Sequence, residues 1–87
     1  MTNFYRFPEL KGLETFSMED QIQKMREEIE ELSNAYYSVH EDILFGVELM
    51  DVIHSVETAI RQTFTDDEVE MLYNLVIAKN KKRDYYE

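Results

Sequence analysis

The sequence has no cysteine, one proline (Pro8) and two glycines (Gly12 and Gly46). Without cysteine there is neither a disulfide to staple the fold nor a thiolate metal site. So few helix breakers, together with abundant Glu, Leu, Ile and Met, make an all-α protein the expected class. Basic residues are scarce as well: nine stand against nineteen acidic ones, a formal net charge of -10. Such a surface repels phosphate backbones, which argues against nonspecific binding to DNA or RNA, so no nucleic acid partner is expected. An anionic ligand remains admissible if divalent cations sit between carboxylates and phosphates. No apolar run approaches the roughly 20 residues of a membrane-spanning helix, so no membrane association is expected. The opening "MTNFYRFPEL" lacks the basic and apolar regions of a secretory leader. With the missing cysteines, this gives a cytoplasmic location as the expectation. Finally, 87 residues allow one domain at most and a small core. A homo-oligomer is therefore expected to complete it.

What is present divides into an arm and helices. Residues 1–16 mix Phe4, Tyr5, Phe7 and Phe16 with Pro8 and Gly12 and show no helical period, so they form an N-terminal arm that packs on the helices. Residues 17–87 form a single helical domain. Ser17 and Asp20 resemble a capping box, after which Ile22, Met25, Ile29, Leu32, Tyr36 and Val39 recur at three- and four-residue steps. The first helix is predicted from about Met18 to about Tyr37. Ser38 with Glu41 can cap a second helix, from about Val39 or Asp42 to Gln62. That helix is apolar on two sides and is expected to be central, with neighbours all round. Thr65 and Glu68 form the clearest capping box, and a third helix carries Val69, Leu72, Tyr73, Val76 and Ile77 into "AKNKKRDYYE".

Two clusters of carboxylates carry the chemistry. "REEIEEL" holds Glu27, Glu28 and Glu31, and "VELMD" holds Glu48 and Asp51. At about 100° per residue, side chains three apart lie within about 60° of one another, one turn along. Glu28 with Glu31, and Glu48 with Asp51, therefore project together, and two antiparallel helices can aim these pairs at each other. Taken alone, "REEIEEL" is also the pattern of a solvated charged face. "VELMD" differs, because its flanks are apolar on both sides. Four converging carboxylates repel one another unless they protonate, splay or share Mg²⁺ or Mn²⁺, hard ions that prefer oxygen ligands.

On these motifs the chain resembles the all-α nucleoside triphosphate pyrophosphohydrolases of the MazG-like superfamily. Their signature is E-E-x-x-E followed by E-x-x-D, here Glu27-Glu28-Ile29-Glu30-Glu31 and Glu48-Leu49-Met50-Asp51. The resemblance spans roughly residues 21–83 and is to the small, single-domain kind found in bacteria and phages. It implies a four-helix-type core built by a homodimer or homotetramer. It also implies Mg²⁺-dependent hydrolysis, with Mn²⁺ as a possible substitute, of a canonical or modified nucleoside triphosphate to the monophosphate and pyrophosphate. Glu28, Glu31, Glu48 and Asp51 would be metal ligands, and Glu27 would support a further ion or orient the attacking water. In "KNKKR", Lys79, Asn80, Lys82 and Arg83 would hold the triphosphate, although a basic helix end also complements the helix dipole and Asp84 can draw Arg83 aside. Lys24 can reach phosphate or pair with Glu28.

Other residues are less committed. His54 continues the Glu48–Asp51 face and is expected to be a satisfied interior or interface histidine, with a supporting role at the site or a nucleotide contact as the alternative. His40 supports no assignment. Tyr36, Tyr37, Tyr73, Tyr85 and Tyr86 are candidates for base stacking, with Tyr36 and Tyr73 on packing stripes. A second functional class stays open: a non-catalytic helical module that keeps the fold and binds a nucleotide or a protein.

Overall fold

Two of the three helices begin where the sequence supplies a reciprocal cap. In the computed structural model, which describes residues 6–38 and 42–87, α1 spans Met18–Ser38, α2 Asp42–Thr63 and α3 Asp66–Lys82, and no strand occurs among the described residues. At the start of α1 the Asp20 N–H donates to Ser17 Oγ and the Ser17 N–H donates to the Asp20 carboxylate, each at 3.0 Å. At the start of α3 the Glu68 N–H donates to Thr65 Oγ1 (3.3 Å) and the Thr65 N–H to Glu68 Oε1 (2.9 Å). Both boxes satisfy amides that a first helical turn leaves without partners. The predicted cap on Glu41, the stripe position Val39 and His40 lie outside the described residues.

Helices α1 and α2 pack against each other, and α3 meets them only weakly. The pair is antiparallel, because Gln21, early in α1, meets Ser55, late in α2, while Glu28 meets Glu48. Gln21 Nε2 donates to the Ser55 carbonyl at 2.8 Å from a side chain that is fully buried. Seven residues further along α1 and seven back along α2, about two turns, the same faces bring Glu28 opposite Glu48.

The inward face of α1 is displaced from the stripe that the sequence predicts. Gln21 and Glu28 are buried with Met25, Leu32 and Ala35 half-buried between and beyond them, whereas Ile22 and Ile29 are exposed. Met25 and Leu32 belong to both faces, so the rotation is about 60°, less than one residue. On α2 the covered side is Ser55, Glu57, Thr58 and Ala59, so the interior of the single chain is mostly polar. Ser55 Oγ, Thr58 Oγ1 and Thr63 Oγ1 donate to the carbonyls of Val52, His54 and Ala59, which keeps these hydroxyls satisfied inside the helix.

The expectation that α2 is surrounded does not hold for one chain. Ile43 is 73% exposed and Val47 51%, because among the described helices α1 alone packs extensively against α2. The apolar face of α3 is open as well, with Leu75 at 58%. The radius of gyration is 15.0 Å and the extents are 40 × 37 × 21 Å, a flat slab. A compact domain of this length would have a radius of gyration of about 12 Å.

The described part of the arm, from Arg6 onward, packs on the helices, whereas Phe4 and Tyr5 lie outside the described residues. Arg61 forms a bidentate pair with Glu57 one turn earlier, at 2.9 and 2.7 Å. Together they grip the main chain of Phe7: its N–H donates to Glu57 Oε1 (3.2 Å) and its carbonyl accepts from Arg61 Nη2 (2.6 Å). From there the arm runs through a 3-10 turn, Leu13–Thr15, into the cap of α1.

Gln21→Ala removes the cross-helix bond and leaves a gap, so it should lower stability by about 1–3 kcal/mol. Urea unfolding should show this as a lower midpoint with an unchanged slope. An unchanged midpoint would mean that the α1–α2 register is held elsewhere.

Candidate metal centre

The register set by Gln21 and Ser55 gathers three of the predicted carboxylates. Glu28, Glu48 and Asp51 each offer one oxygen, and these oxygens all lie within 4.8 Å of one another. Glu28 is buried, while Glu48 and Asp51 are half-buried. Within the cluster, Glu28 Oε2 and Glu48 Oε2 are buried with no hydrogen-bond partner among the described residues. A buried carboxylate oxygen without a donor or a cation is unfavourable, and here two occur in one cluster.

The electrostatics follow from that crowding. Burial pushes the Glu48 carboxyl above its ordinary range, and the negative charges of Asp51, Glu31 and Glu28 push in the same direction. One side of the cluster carries a cation of its own: Lys24 Nζ lies 2.9 Å from Glu28 Oε1, the i, i+4 pair that the sequence allows. The bond to Glu28 raises the Lys24 ammonium above its usual value. Lys24 is half exposed, so this pair contributes modestly to stability.

The donor set suits a hard divalent ion. In octahedral coordination at about 2.1 Å, ligand oxygens stand about 3 Å apart when adjacent and about 4.2 Å when opposite. Three oxygens on one ion would therefore have to draw closer than the 4.8 Å within which they lie, a movement that rotation about the Glu side-chain torsions can supply. Such an ion would also neutralise the two unpartnered oxygens.

The other predicted site residues are distributed differently. Glu31 is exposed beside the cluster, near enough for its charge to act on Glu48. Glu27 is exposed and is not among the converging groups. The basic run is placed on the end of α3. Asn80 Nδ2 donates to the Tyr86 hydroxyl at 3.2 Å, and the Arg83 guanidinium lies 5.9 Å from the centre of the Tyr85 ring. Lys79 and Lys82 are exposed, and none of the four lines the cavity beside the carboxylates. Asp84 adopts a left-handed turn, φ 60°, in which the N–H groups of Arg83, Asp84 and Tyr85 donate to carbonyls of the last helical turn.

His54 departs from its expected satisfied state. Its ring stacks on Phe7 with centroids 4.5 Å apart, and its Nε2 is buried without a hydrogen-bond partner. The stack covers the face of the ring and provides no polar partner. Gln21, Glu57 and Arg61 were not singled out by the carboxylate pattern, although the i, i+4 spacing of Glu57 and Arg61 signals an ion pair.

Comparison of the chain with family models, with curated proteins and with solved structures found no match.

The raised Glu48 carboxyl has a signed consequence. The ionised form is less favourable in the folded state than in the unfolded chain, so its penalty is absent below the ordinary glutamate value of about 4.3. It grows as pH rises through the raised value and is constant above it. In chelator-treated buffer, Glu48→Gln should therefore raise the melting temperature by a few degrees at pH 7 and leave it unchanged below about pH 3.5. Thermal scans showing a less stable variant at pH 7 would contradict this account.

Proposed function

We propose that this chain is a metal-dependent nucleoside triphosphate pyrophosphohydrolase. The observation that carries the reading is the convergence of Glu28, Glu48 and Asp51 with two buried, unpartnered oxygens among them. The E-E-x-x-E and E-x-x-D motifs supply those residues, and the resemblance to the MazG-like superfamily supplies the reaction. Glu28, Glu48 and Asp51 hold the ion. Glu31 adds a ligand or a balancing charge from the next turn, and Glu27 orients water at the outer edge. Mg²⁺, or Mn²⁺ in its place, would polarise phosphoryl oxygens and acidify bound water. Water adds to phosphorus, the bridge between the α- and β-phosphates breaks, and monophosphate and pyrophosphate leave. Lys24, already beside Glu28, would turn its ammonium toward a phosphate oxygen if a cation took over the charge of its present partner.

The same reading includes assembly. The open faces of α1, α2 and α3 and the slab-like shape suit a homodimer or homotetramer whose interface buries Ile29, Val47 and Leu75. In such an assembly Lys79, Asn80, Lys82 and Arg83 of one protomer reach the carboxylates of another. Their distance from the cavity within one chain also favours a second reading, a module that binds nucleotide without cleaving it.

Purified protein with Mg²⁺ or Mn²⁺ should release pyrophosphate from at least one member of a panel of NTPs and dNTPs. Asp51→Asn should reduce kcat/KM about a hundredfold or more. Nucleotide binding without product would favour the module, and a rate unchanged in Asp51→Asn would expose a contaminant. Mg²⁺ should raise the melting temperature of the natural chain more than that of Glu48→Gln. Sedimentation should give two or four times the 10.5 kDa chain mass; a monomer at micromolar concentration would remove the assembly.

A further inference from the structure

Two members of the carboxylate triad, Glu28 and Asp51, border a cavity of about 350 Å³. Glu28, Asp51 and Lys24 line one side, and the arm forms the other with Leu10, Leu13 and Phe16. Leu10 is 47% exposed and Phe16 38%, so the arm presents apolar surface to an open space. His54 lies in the same wall and holds the unpartnered Nε2. A cavity of this size, apolar on one side with a few polar groups on the other, has the character of a small-molecule site.

The arm's hydrogen bonding suits that use. It is fastened at Phe7 by Glu57 and Arg61 and at Ser17 by the α1 cap. Between these points its hydrogen bonds are internal: Thr15 Oγ1 to the Gly12 carbonyl and the Phe16 N–H to the Leu13 carbonyl. The turn is permitted by Gly12, whose φ of 80° disfavours other residues. Beyond a long ion pair from Glu9 to Arg61 (3.9 Å), packing holds the wall against α1 and α2, so it can shift to fit a ligand while both ends stay fixed.

We infer that this cavity receives the nucleoside end of the substrate, with base and sugar against Leu10, Leu13 and Phe16 and a polar edge of the base paired with His54. This rests on the pyrophosphohydrolase reading, because only a triphosphate held at Glu28 and Asp51 directs its nucleoside toward the arm. A planar, largely apolar ring with hydrogen-bonding edges matches a wall of this composition. Because Nε2 is buried as the wall stands, the shift of the arm that admits the base must also uncover this atom, which then gains a partner.

The test separates the nucleoside from the triphosphate. For the best substrate among the eight common NTPs and dNTPs, Phe16→Ala and His54→Ala should each raise KM about tenfold. The inhibition constant of inorganic tripolyphosphate, which competes for the phosphate site alone, should stay within about twofold. If KM is unchanged, or if both constants rise together, the arm does not hold the nucleoside, while the hydrolase reading stands. If the natural chain neither cleaves nor binds any of the eight with Mg²⁺, the hydrolase reading fails and this inference with it. Methyl spectra of the natural chain provide a readout that needs no variant: Leu10 and Leu13 should shift with the nucleotide and not with tripolyphosphate. The opposite pattern would overturn the inference.

Discussion

The bond from Gln21 to the Ser55 carbonyl determines which residues of α1 and α2 face each other. A buried amide must find its partners, and sliding one helix by a turn would strand it. Because the faces repeat every seven residues, that single pairing also decides that Glu28 meets Glu48 with Asp51 alongside. A shift of one turn toward the start of α2 would take Glu28 away from Asp51 and place it beside Leu44 and Phe45. Register and charge crowding are thus two results of one constraint.

That constraint gives the chain a polar interior and an apolar exterior. Ala59 and Val69 are the buried hydrophobic residues among those described, while Gln21, Glu28, Ser55, Glu57 and Thr58 are buried and polar. Polar groups in such positions specify one geometry strongly and contribute little net stability. The hydrophobic driving force resides in the side chains left outside, Ile29, Ile43, Val47 and Leu75 among them. Within one chain the two sources of order are separated.

Much of this was legible in the sequence, and the unread part has a physical cause. The bounds of α1 and the start of α3 follow from apolar period and capping residues, whose effects are local, while the cap predicted for α2 lies outside the described residues. Glu28, Glu48 and Asp51 follow from three-residue spacing, which is also local. The orientation of α1 was not readable, because the apolar stripe of Ile22 and Ile29 and the inward face of Gln21 and Glu28 differ by one position. Choosing between them requires the partner surface. For the same reason α2 is apolar on two sides although one chain covers one of them. The path of the arm depends on Glu57 and Arg61, fifty or more residues from Phe7, and no local pattern reports it.

The clamp of Glu57 and Arg61 closes on main-chain atoms, the N–H and carbonyl of Phe7, and adds a long, exposed ion pair from Arg61 to Glu9. Any residue except proline offers the same two main-chain atoms, so the anchor depends little on the side chains that follow. Positions 8–16 can therefore accumulate substitutions while the arm keeps its attachment and α1 keeps its cap. Anchoring of this kind separates heritable variation in the wall from the integrity of the helices. Related chains could diverge in what they accept through a handful of neutral steps, with Gly12 the position least free to drift.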